Sequence, residues 1–432
     1  MSAFAEPALR LAYVAVLYAL MPVVVLRLLW RGVGNPRYWS RIGERFGLGP
    51  PVSPRGDPGQ VLWVHAVSVG EVQAALPLIR SLLSDFPRAR VVVTTTTPTG
   101  MMRVQTVLGA QVIHRYAPYD LLGTTRRFLD RVDPQLAIIV ETEIWPNLIR
   151  RCRERGVPIG FANCRLSERS AAGYAYLKPL LRQTLSEVTA IAAQSDDDAR
   201  RLVELGAPAS IVEVTGSTKF DVAISASTEE AGAALRRAWG VDRSVWIAAS
   251  THEGEEEIVL DAFTLVREQI KDCMLVLVPR HPERFARAAV YARRRGYSVM
   301  LRSHPSGSVP DVFLGDTMGE LPVFYAACDV AFVGGSLVDV GGHNMLEPAA
   351  LGLPVLLGPH LRNFADISYR LCAVDAARIV YDAQELGREV VKHLRDANRR
   401  HGAGERGRAF VAHNRGSNRR LMALVRSTLD EG

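Results

Sequence analysis

An apolar strand, a glycine-rich loop and the start of a helix follow one another in residues 328–349, CDVAFVGGSLVDVGGHNMLEPA. The run Val330–Val333 predicts a buried strand, and the four glycines after it let the backbone pass close to a bulky group with φ > 0. Asn344 and Glu347 have the spacing of N-cap and N3 residues, and free N–H groups and the dipole at a helix start favour an anion. The stretch therefore predicts a βα unit that binds a phosphate.

The glycine spacing differs from the dinucleotide fingerprint and from the P-loop, which needs a Lys followed by Ser or Thr. The two oxygens of Glu347 could accept hydrogen bonds from the neighbouring hydroxyls of a ribose. Alternatively, Asn344 and Glu347 form only a capping box. Capping does not explain the four glycines, so we favour nucleotide binding.

The same alternation of apolar runs with helical stretches extends from Val61 onward, which is typical of parallel sheets covered on both faces. The predicted strands of a first series are Val61–His65, Val91–Thr94, Leu136–Val140, Val157–Ala162 and Val188–Ala193. Those of a second series are Val245–Ala249, Met274–Val278, Ser298–Leu301, Val330–Val333 and Val355–Leu357. The sequence predicts an α/β protein with two doubly wound, Rossmann-like domains whose strand ends face each other across a cleft.

The length of 432 residues also suggests two domains. We place a membrane anchor at residues 1–30, an N-terminal domain at 31–222 and a C-terminal domain at 223–404, with the break in the small, polar stretch Ala223–Glu230. Residues 405–432 are predicted to form a final helix, from Glu405 to Leu429, that packs back on the N-terminal domain.

The anchor is predicted from Leu11–Leu26, which is apolar and uncharged and is bracketed by Arg10 and Arg27. The following arginines would keep the rest of the chain in the cytoplasm by the positive-inside rule. No small-residue cleavage site follows, so we expect an uncleaved inner-membrane anchor rather than a signal peptide.

The formal charge of +7 comes without the alternation of arginine and aromatic residues that stacks bases, so a nucleic-acid partner is not favoured. Anionic lipid or phosphate fits the charge better. The five cysteines form no C-x-x-C pair, which indicates a reducing, cytoplasmic setting.

Ligands of doubly wound sheets bind beyond the carboxyl ends of the strands, and two acidic motifs stand there. Glu71 follows the first strand and, when ionised, could deprotonate a hydroxyl; alternatively it is a first-turn Glu that complements the helix dipole. Glu141 and Glu143 follow the third predicted strand, and their alternation lets only one face a cleft; alternatively both cap the next helix. Two carboxylates without His or Cys make a poor metal site, so we expect no metal. His65, on the first strand, is more often a core histidine than a catalyst.

Three further motifs carry groups that suit an anionic nucleotide. Lys219 could neutralise an anionic substrate group, although a solvated loop lysine is the alternative. Arg280, after Pro279, could clamp a phosphate or carboxylate. The segment Met318-Gly319-Glu320 could present backbone groups to a nucleobase.

Taken together, the ordered motifs closely resemble the lipid A 3-deoxy-D-manno-octulosonic acid (Kdo) transferase family, over nearly the whole chain. The motifs are Val69-Gly70-Glu71, Glu141-Thr142-Glu143-Ile144-Trp145-Pro146-Asn147, Lys219-Phe220-Asp221, Ser250-Thr251-His252, Pro279-Arg280-His281-Pro282, Met318-Gly319-Glu320 and Gly342-His343-Asn344-Met345-Leu346-Glu347-Pro348. The resemblance implies the two-domain GT-B glycosyltransferase architecture. It also implies inverting, metal-independent transfer of Kdo from CMP-Kdo to a lipid A precursor at the inner membrane, without a cofactor.

The resemblance also implies residue roles. Glu71 looks like the catalytic base, and Glu141 and Lys219 resemble the positions that stabilise the transition state. Three segments of this chain look like the CMP-binding segments of the family: Pro279 and Arg280, then Met318, Gly319 and Glu320, and finally Asn344, Met345, Leu346 and Glu347. The acceptor would then bind the N-terminal domain and the CMP-sugar the C-terminal domain.

Two other functions stay open at this point. One is another nucleotide-sugar enzyme of the same fold, either a UDP-sugar transferase or an epimerase. The other is a membrane-tethered nucleotide sensor without catalysis, which would not need Glu71.

Overall fold

The computed structural model describes residues 5–52, 59–222, 224–305 and 307–430. The chain divides into two compact units, residues 1–221 with 416–432, and residues 222–415. Ala223, at the start of the predicted interdomain break, lies outside the described residues.

The first unit is built on a seven-stranded sheet in which every neighbouring pair is parallel. The strand order is β3-β2-β1-β4-β5-β6-β7. The strands are β1 Val61–His65, β2 Arg90–Thr95, β3 Ile113–Tyr116, β4 Leu136–Val140, β5 Ile159–Cys164, β6 Ala190–Ala193 and β7 Val212–Val214.

Both faces of this sheet are covered, because successive side chains of a strand point to opposite faces. In β1, Val61 and Trp63 pack in one apolar cluster and Leu62 and Val64 in another. The helices of this part of the chain are α1 Ala5–Gly34, α2 Ile42–Arg45, α3 Val69–Asp85, α4 Pro98–Leu108, α5 Leu122–Val132, α6 Pro146–Glu154, α7 Glu168–Ala175, α8 Lys178–Leu185 and α9 Asp196–Leu205.

The second unit has its own seven-stranded parallel sheet, in the order β10-β11-β9-β8-β12-β13-β14. Its strands are β8 Val245–Thr251, β9 Met274–Pro279, β10 Val299–Leu301, β11 Val312–Leu314, β12 Val330–Val333, β13 Val355–Leu357 and β14 Ala377–Ile379. The helices from here onward are α10 Ala226–Trp239, α11 Glu255–Gln269, α12 Phe285–Arg294, α13 Leu321–Ala326, α14 Leu346–Ala350, α15 Ala365–Ala373, α16 Ala383–Arg395, α17 Ala397–Asn414 and α18 Ser417–Asp430. The predicted class of two doubly wound α/β sheets is confirmed.

The strand order reverses once in each sheet, between β1 and β4 in the first unit and between β8 and β12 in the second. Ligands of open α/β sheets bind at the carboxyl ends of the strands beside such a reversal. Glu71 and Glu141 follow β1 and β4, and the segments 250–255 and 334–347 follow β8 and β12. The sheet topology therefore brings candidate residues to the switch point of each unit.

The C-terminal helix predicted from Glu405 to Leu429 is wrong, because the structure has two helices there. Helix α17 starts at Ala397 and belongs to the second unit, and only α18 packs on the first. The two helices are separated at Gly416, which has φ +88° and whose N–H donates to the Asp221 carboxylate at 2.7 Å. A left-handed glycine ends the helical path at that point.

Helix α1 is long and apolar enough over Ala8–Gly34 to cross a membrane. One stripe along it is less exposed than the rest, at Arg10, Tyr13, Leu17, Met21, Val24, Leu28 and Gly32. The Arg10 guanidinium donates to the Pro146 carbonyl at 2.7 Å and pairs with Glu187 at 3.2 Å. Helix α1 is therefore tied by polar contacts to the first unit, which its apolar sequence did not suggest.

Candidate active site

Glu71 lies at the N3 position of α3, and its side chain is 8% exposed. Ser68, the N-cap, accepts from the Glu71 N–H at 3.3 Å and donates its hydroxyl to the Glu71 carboxylate at 2.8 Å, while the Val67 N–H donates at 2.7 Å. Glu71 is thus a first-turn glutamate, as in the alternative role, and its carboxylate also helps to cap the start of the helix. Burial nevertheless raises the pKa of Glu71 to about 7, against the lowering effect of these hydrogen bonds. A carboxylate with a pKa near neutrality also suits a general base.

Glu141 directly follows β4 and lies in the left-handed region, with φ +63°. A residue other than glycine pays strain for this conformation, and such strain is concentrated at functional sites. Burial raises the pKa of Glu141 and the nearby Lys219 lowers it; burial lowers the pKa of Lys219 and Glu141 raises it. The structure thus brings these two predicted site residues together as neighbouring opposite charges.

Asn163, which the sequence analysis did not single out, positions the loop that carries Lys219. Like Glu141, Asn163 has a left-handed backbone conformation, with φ +56° near the end of β5. Its Oδ1 accepts from the Thr218 N–H at 3.1 Å. The Thr218 hydroxyl donates to the Ala74 carbonyl in α3 at 3.0 Å. A sequence signal existed, because Asn tolerates the left-handed region better than other non-glycine residues.

The alternative in which Glu141 and Glu143 cap α6 is wrong. Asp120 caps that helix instead, by accepting from the N–H groups of Asn147 at 3.0 Å and Leu148 at 2.7 Å. Glu143 accepts from the Trp145 indole N–H at 2.8 Å. The Tyr13 hydroxyl of α1 also donates to Asp120, at 2.7 Å.

His65 is fully buried in β1, and burial lowers its pKa to about 4. Its Nδ1 lies 2.8 Å from the Thr94 hydroxyl. It is therefore a neutral core histidine near neutral pH.

In the second unit, three successive backbone amides, which begin at the second glycine of the first glycine pair, are occupied by a carboxylate of the chain itself. Glu255, the first residue of α11, accepts from the N–H groups of Gly335 at 2.6 Å, Ser336 at 2.9 Å and Leu337 at 2.8 Å. It also accepts from the His252 N–H at 2.9 Å. Successive amides in such a turn favour an anion, and here the anion is Glu255. These amides are therefore not open to a phosphate, and the phosphate predicted at the helix start near Asn344 stays a prediction.

The second half of the loop differs from the prediction by one residue. Helix α14 has Met345, not Asn344, at its N-cap. Asn344 still accepts from the Leu346 N–H at 3.1 Å and donates to the Glu347 carboxylate at 3.0 Å. Burial raises the pKa of Glu347. These residues meet as predicted, and their contacts fit both capping and a hydroxyl-binding role.

The remaining predicted donor-site residues follow neighbouring strands of the same sheet. Arg280 is exposed after β9, and its N–H donates to the Thr251 carbonyl at 2.9 Å. Arg302, which follows β10, holds Glu320, which lies beyond β11, by a two-pronged contact of 2.7 to 3.2 Å and lowers the pKa of that carboxyl. Gly319 has φ +88°. The Glu320 side chain is thus occupied by Arg302, so the backbone of residues 318–320 is the part of this segment that suits a nucleobase.

Two histidines that stand in the quoted motifs, but to which the sequence analysis assigned no role, meet at the carboxyl ends of β8 and β12. The Nε2 atoms of His252 and His343 are 2.7 Å apart, with the ring planes within 7°. Burial lowers the pKa of His343 to about 4, and the pKa of His252 is lowered as well. Near neutral pH one ring therefore donates to the other. Within the described part of the chain, no cluster of three or more His, Cys, Asp or Glu side chains could hold a metal ion.

A family model and the sequences of known proteins both relate this chain to 3-deoxy-D-manno-octulosonic acid transferases. The family model described as "3-Deoxy-D-manno-octulosonic-acid transferase (kdotransferase)" matches residues 40–222. The chain is 40% identical over 401 residues to the 3-deoxy-D-manno-octulosonic acid transferase of Haemophilus influenzae, covering 91% of this chain and 93% of that one. It is 38% identical to the enzyme of the same description from Bordetella pertussis, with 87% and 89% covered.

Among solved structures, a UDP-GlcNAc 2-epimerase from Neisseria meningitidis matches with a TM-score of 0.56, over 85% of this chain and 100% of that chain. The sequence identity is 14%. This likeness concerns the fold alone.

Proposed function

The chain belongs to the 3-deoxy-D-manno-octulosonic acid (Kdo) transferase family, and from this premise we propose that it transfers Kdo from CMP-Kdo to a lipid A precursor. The reaction is a step of lipopolysaccharide biosynthesis. We further propose that it takes place at the cytoplasmic face of the inner membrane, with α1 holding the enzyme at the lipid.

The observation that carries the mechanism is Glu71, a buried carboxylate at the switch point of the first unit with a pKa of about 7. As the base, Glu71 accepts the proton of the acceptor hydroxyl while that oxygen attacks the anomeric carbon of Kdo and the bond from sugar to phosphate breaks. Displacement from the face opposite the leaving group inverts the anomeric centre. The desolvated carboxylate is ionised in a useful fraction at neutral pH and still basic enough to take a proton.

Glu141 and Lys219 are proposed to stabilise the transition state. Kdo carries a carboxylate, so the Lys219 ammonium supplies the attractive charge, and Glu141 keeps that ammonium protonated and oriented. The strained backbone of Glu141 fixes where this charge pair stands.

The second unit is proposed to bind the donor. Arg280 contacts the phosphate, the backbone of Met318, Gly319 and Glu320 contacts the cytosine, and the Glu347 carboxylate accepts from the ribose hydroxyls. An arginine can stabilise the single phosphate of departing CMP without a divalent ion, so we expect transfer to continue in EDTA.

The test is the mass of the product formed from CMP-Kdo and a tetra-acylated lipid A precursor by the full-length protein in detergent. We expect the acceptor mass to rise by one or more Kdo units, and CMP to inhibit more strongly than UDP. Inhibition by UDP without CMP inhibition, and no Kdo adduct, would instead favour a UDP-sugar enzyme of the same fold. Binding of CMP without any turnover would favour the nucleotide sensor.

A further inference from the structure

Three arginines surround one carboxylate at the carboxyl end of β3, and we name this group the arginine cluster: Arg41, Arg45, Arg115 and Glu44. Glu44 Oε1 accepts from Arg41 Nε at 2.8 Å and lies 3.9 Å from Arg115 Nη1. Glu44 Oε2 accepts from the Tyr116 N–H at 2.9 Å. One carboxylate thus faces three guanidinium groups, which leaves a formal charge of +2.

Arg45 is 4% exposed, and its guanidinium lies over the Tyr116 ring at 4.1 Å. Its Nε and Nη2 atoms have no hydrogen-bond partner among the described residues. These two atoms form the edge that grips an oxyanion with two parallel N–H bonds. Arg284 uses the same edge on Glu256, at 2.9 Å for both bonds. A buried guanidinium with this edge unpaired lacks the acceptor that its desolvation requires.

The neighbouring His114 shows that the surroundings favour negative charge. Arg41 Nη1 lies 3.2 Å from His114 Nδ1, and because guanidinium only donates, Nδ1 is the accepting nitrogen. Nε2 then carries the hydrogen and donates to the Thr95 hydroxyl at 3.0 Å. Burial and the three cluster arginines lower the pKa of His114 to about 3. Arg115 Nε is also buried, and within the part of the chain that the structure describes it has no hydrogen-bond partner.

The cluster and the loop of the proposed base lie at the same edge of the first sheet. The cluster follows the C-terminal end of α1, where Arg31 lies over the Tyr38 ring at 5.7 Å and Trp30 is 77% exposed. Strand β3 is two strands from β1, so the ends of these two strands are about 10 Å apart. The Glu71 loop follows β1 at the same edge of the sheet.

We propose that the arginine cluster binds a phosphate group of the lipid acceptor, with the free edge of Arg45 as its two-pronged anchor. A phosphate monoester carries a charge of about −1.5 to −2 at pH 7, which matches the cluster better than a single carboxylate does. This proposal rests on the proposed function, because it assigns a part of the acceptor to a site beside the base.

The test compares binding of the lipid A precursor with binding of the same lipid after its phosphates are removed by a phosphatase. Binding is measured by calorimetry on the full-length protein in detergent, without CMP-Kdo. We expect wild type to prefer the phosphorylated lipid by about 10-fold to 100-fold, as hydrogen bonds between charged groups imply. Arg45→Lys keeps the charge but loses the paired N–H groups, so this preference should fall several-fold. An unchanged preference in Arg45→Lys would overturn the proposal.

Matched variants and vesicles separate the other causes. Arg126→Lys, at a side chain that is 72% exposed, should keep the wild-type preference. If Arg45→Lys does not fold, Arg41→Gln, whose side chain is 29% exposed, should lower the preference in its place. Flotation on phosphatidylcholine vesicles with and without phosphatidylglycerol tests a bilayer headgroup as the source of the phosphate. If Arg45→Lys loses the preference for vesicles that contain phosphatidylglycerol but keeps the preference for the phosphorylated acceptor, the proposal is contradicted.

The wild-type binding data also separate this proposal from the proposed function. Preference for the phosphorylated lipid without any Kdo transfer would remove the proposed reaction and leave the phosphate site standing. Kdo transfer with equal binding of both lipids would leave the proposed reaction standing and remove the phosphate site.

Discussion

At the scale of residues, the candidate site carries unusual protonation and backbone states in groups that also have structural contacts. Glu71 helps to cap the start of α3 and is at the same time a desolvated carboxylate. Glu141 holds a charge pair with Lys219 from a strained backbone. Neither role follows from residue type alone, so each needs its own test.

The pH dependence of kcat/KM for the acceptor tests the state of Glu71. A base with a pKa of about 7 is protonated and idle below that pH, so kcat/KM should fall about tenfold per pH unit below about 7 and level off above it. The measurement is initial velocity at low acceptor concentration from pH 5 to 9. A plateau that extends down to pH 5 would contradict the assignment.

Thermal unfolding gives an independent control on the same group. The pKa of Glu71 is raised on folding from 4.5 to about 7, so the folded state binds this proton more tightly than the unfolded state. The stability it contributes is complete below pH 4.5 and is lost as the pH rises through about 7. Glu71→Gln, which does not titrate, should therefore gain stability relative to wild type between pH 5 and pH 8.

The Glu141 backbone predicts an opposition between stability and activity. Glu141→Gly and Glu141→Ala both remove the carboxylate, and kcat should fall about 100-fold in each. Only glycine adopts φ +63° without strain, so Glu141→Gly should be more stable than Glu141→Ala by about 1 kcal/mol. Denaturant unfolding of the pair checks this, and equal stabilities would show that the left-handed conformation is not costly.

At the scale of elements, Glu347 and Asn344 decide between donor binding and helix capping. Glu347→Ala should weaken CMP binding by about 1 to 3 kcal/mol, because the ribose hydroxyls would lose their buried acceptor. Asn344→Ala is compared for stability, since it removes the same contact between the two side chains together with the bond from the Leu346 N–H. Unchanged CMP affinity with equal loss of stability in both variants would favour the capping box alone.

The central strands were predictable from sequence because they are apolar on both faces. Strands β1, β4, β12 and β13 have the predicted ends. Strands β3, β7 and β14 were missed because Ile113–Tyr116, Val212–Val214 and Ala377–Ile379 mix polar and apolar residues. These three form sheet edges, where one side of the strand lacks a neighbour and burial is incomplete. Strand β11, Val312–Leu314, was also missed; it is apolar, but at three residues it is too short to give a clear strand pattern.

The site contacts that the sequence analysis missed join residues far apart in the chain. Glu255 reaches amides about 80 positions later, and Asp120 caps a helix 27 positions away. No local pattern identifies such a partner, because a carboxylate at a helix start already satisfies the dipole rule without it. The roles of Glu71, Glu141 and Lys219 came from the family resemblance, and their assignment stays a prediction.

At the scale of the whole molecule, α1 is the proposed membrane anchor and also supports the first unit through polar contacts. Removing residues 1–30 should release soluble protein that transfers Kdo to detergent-dispersed acceptor. The truncated protein should lose about 1 to 3 kcal/mol of stability, because Asp120 loses the Tyr13 hydroxyl and the Pro146 carbonyl loses Arg10. Tyr13→Phe in the full-length chain should reproduce part of that loss. A folded truncation without activity would show that α1 also takes part in the chemistry.

The central claim is that this Kdo transferase uses Glu71 as its base, and the most direct test is kcat of Glu71→Gln alongside its CMP affinity. Glutamine keeps the shape and most hydrogen bonds of Glu71 but cannot take a proton. We predict a fall in kcat of roughly 100-fold to 10,000-fold with CMP affinity unchanged, because the base belongs to the first unit and the nucleotide segments to the second. Turnover near that of wild type would contradict the account and make Glu141 the next candidate.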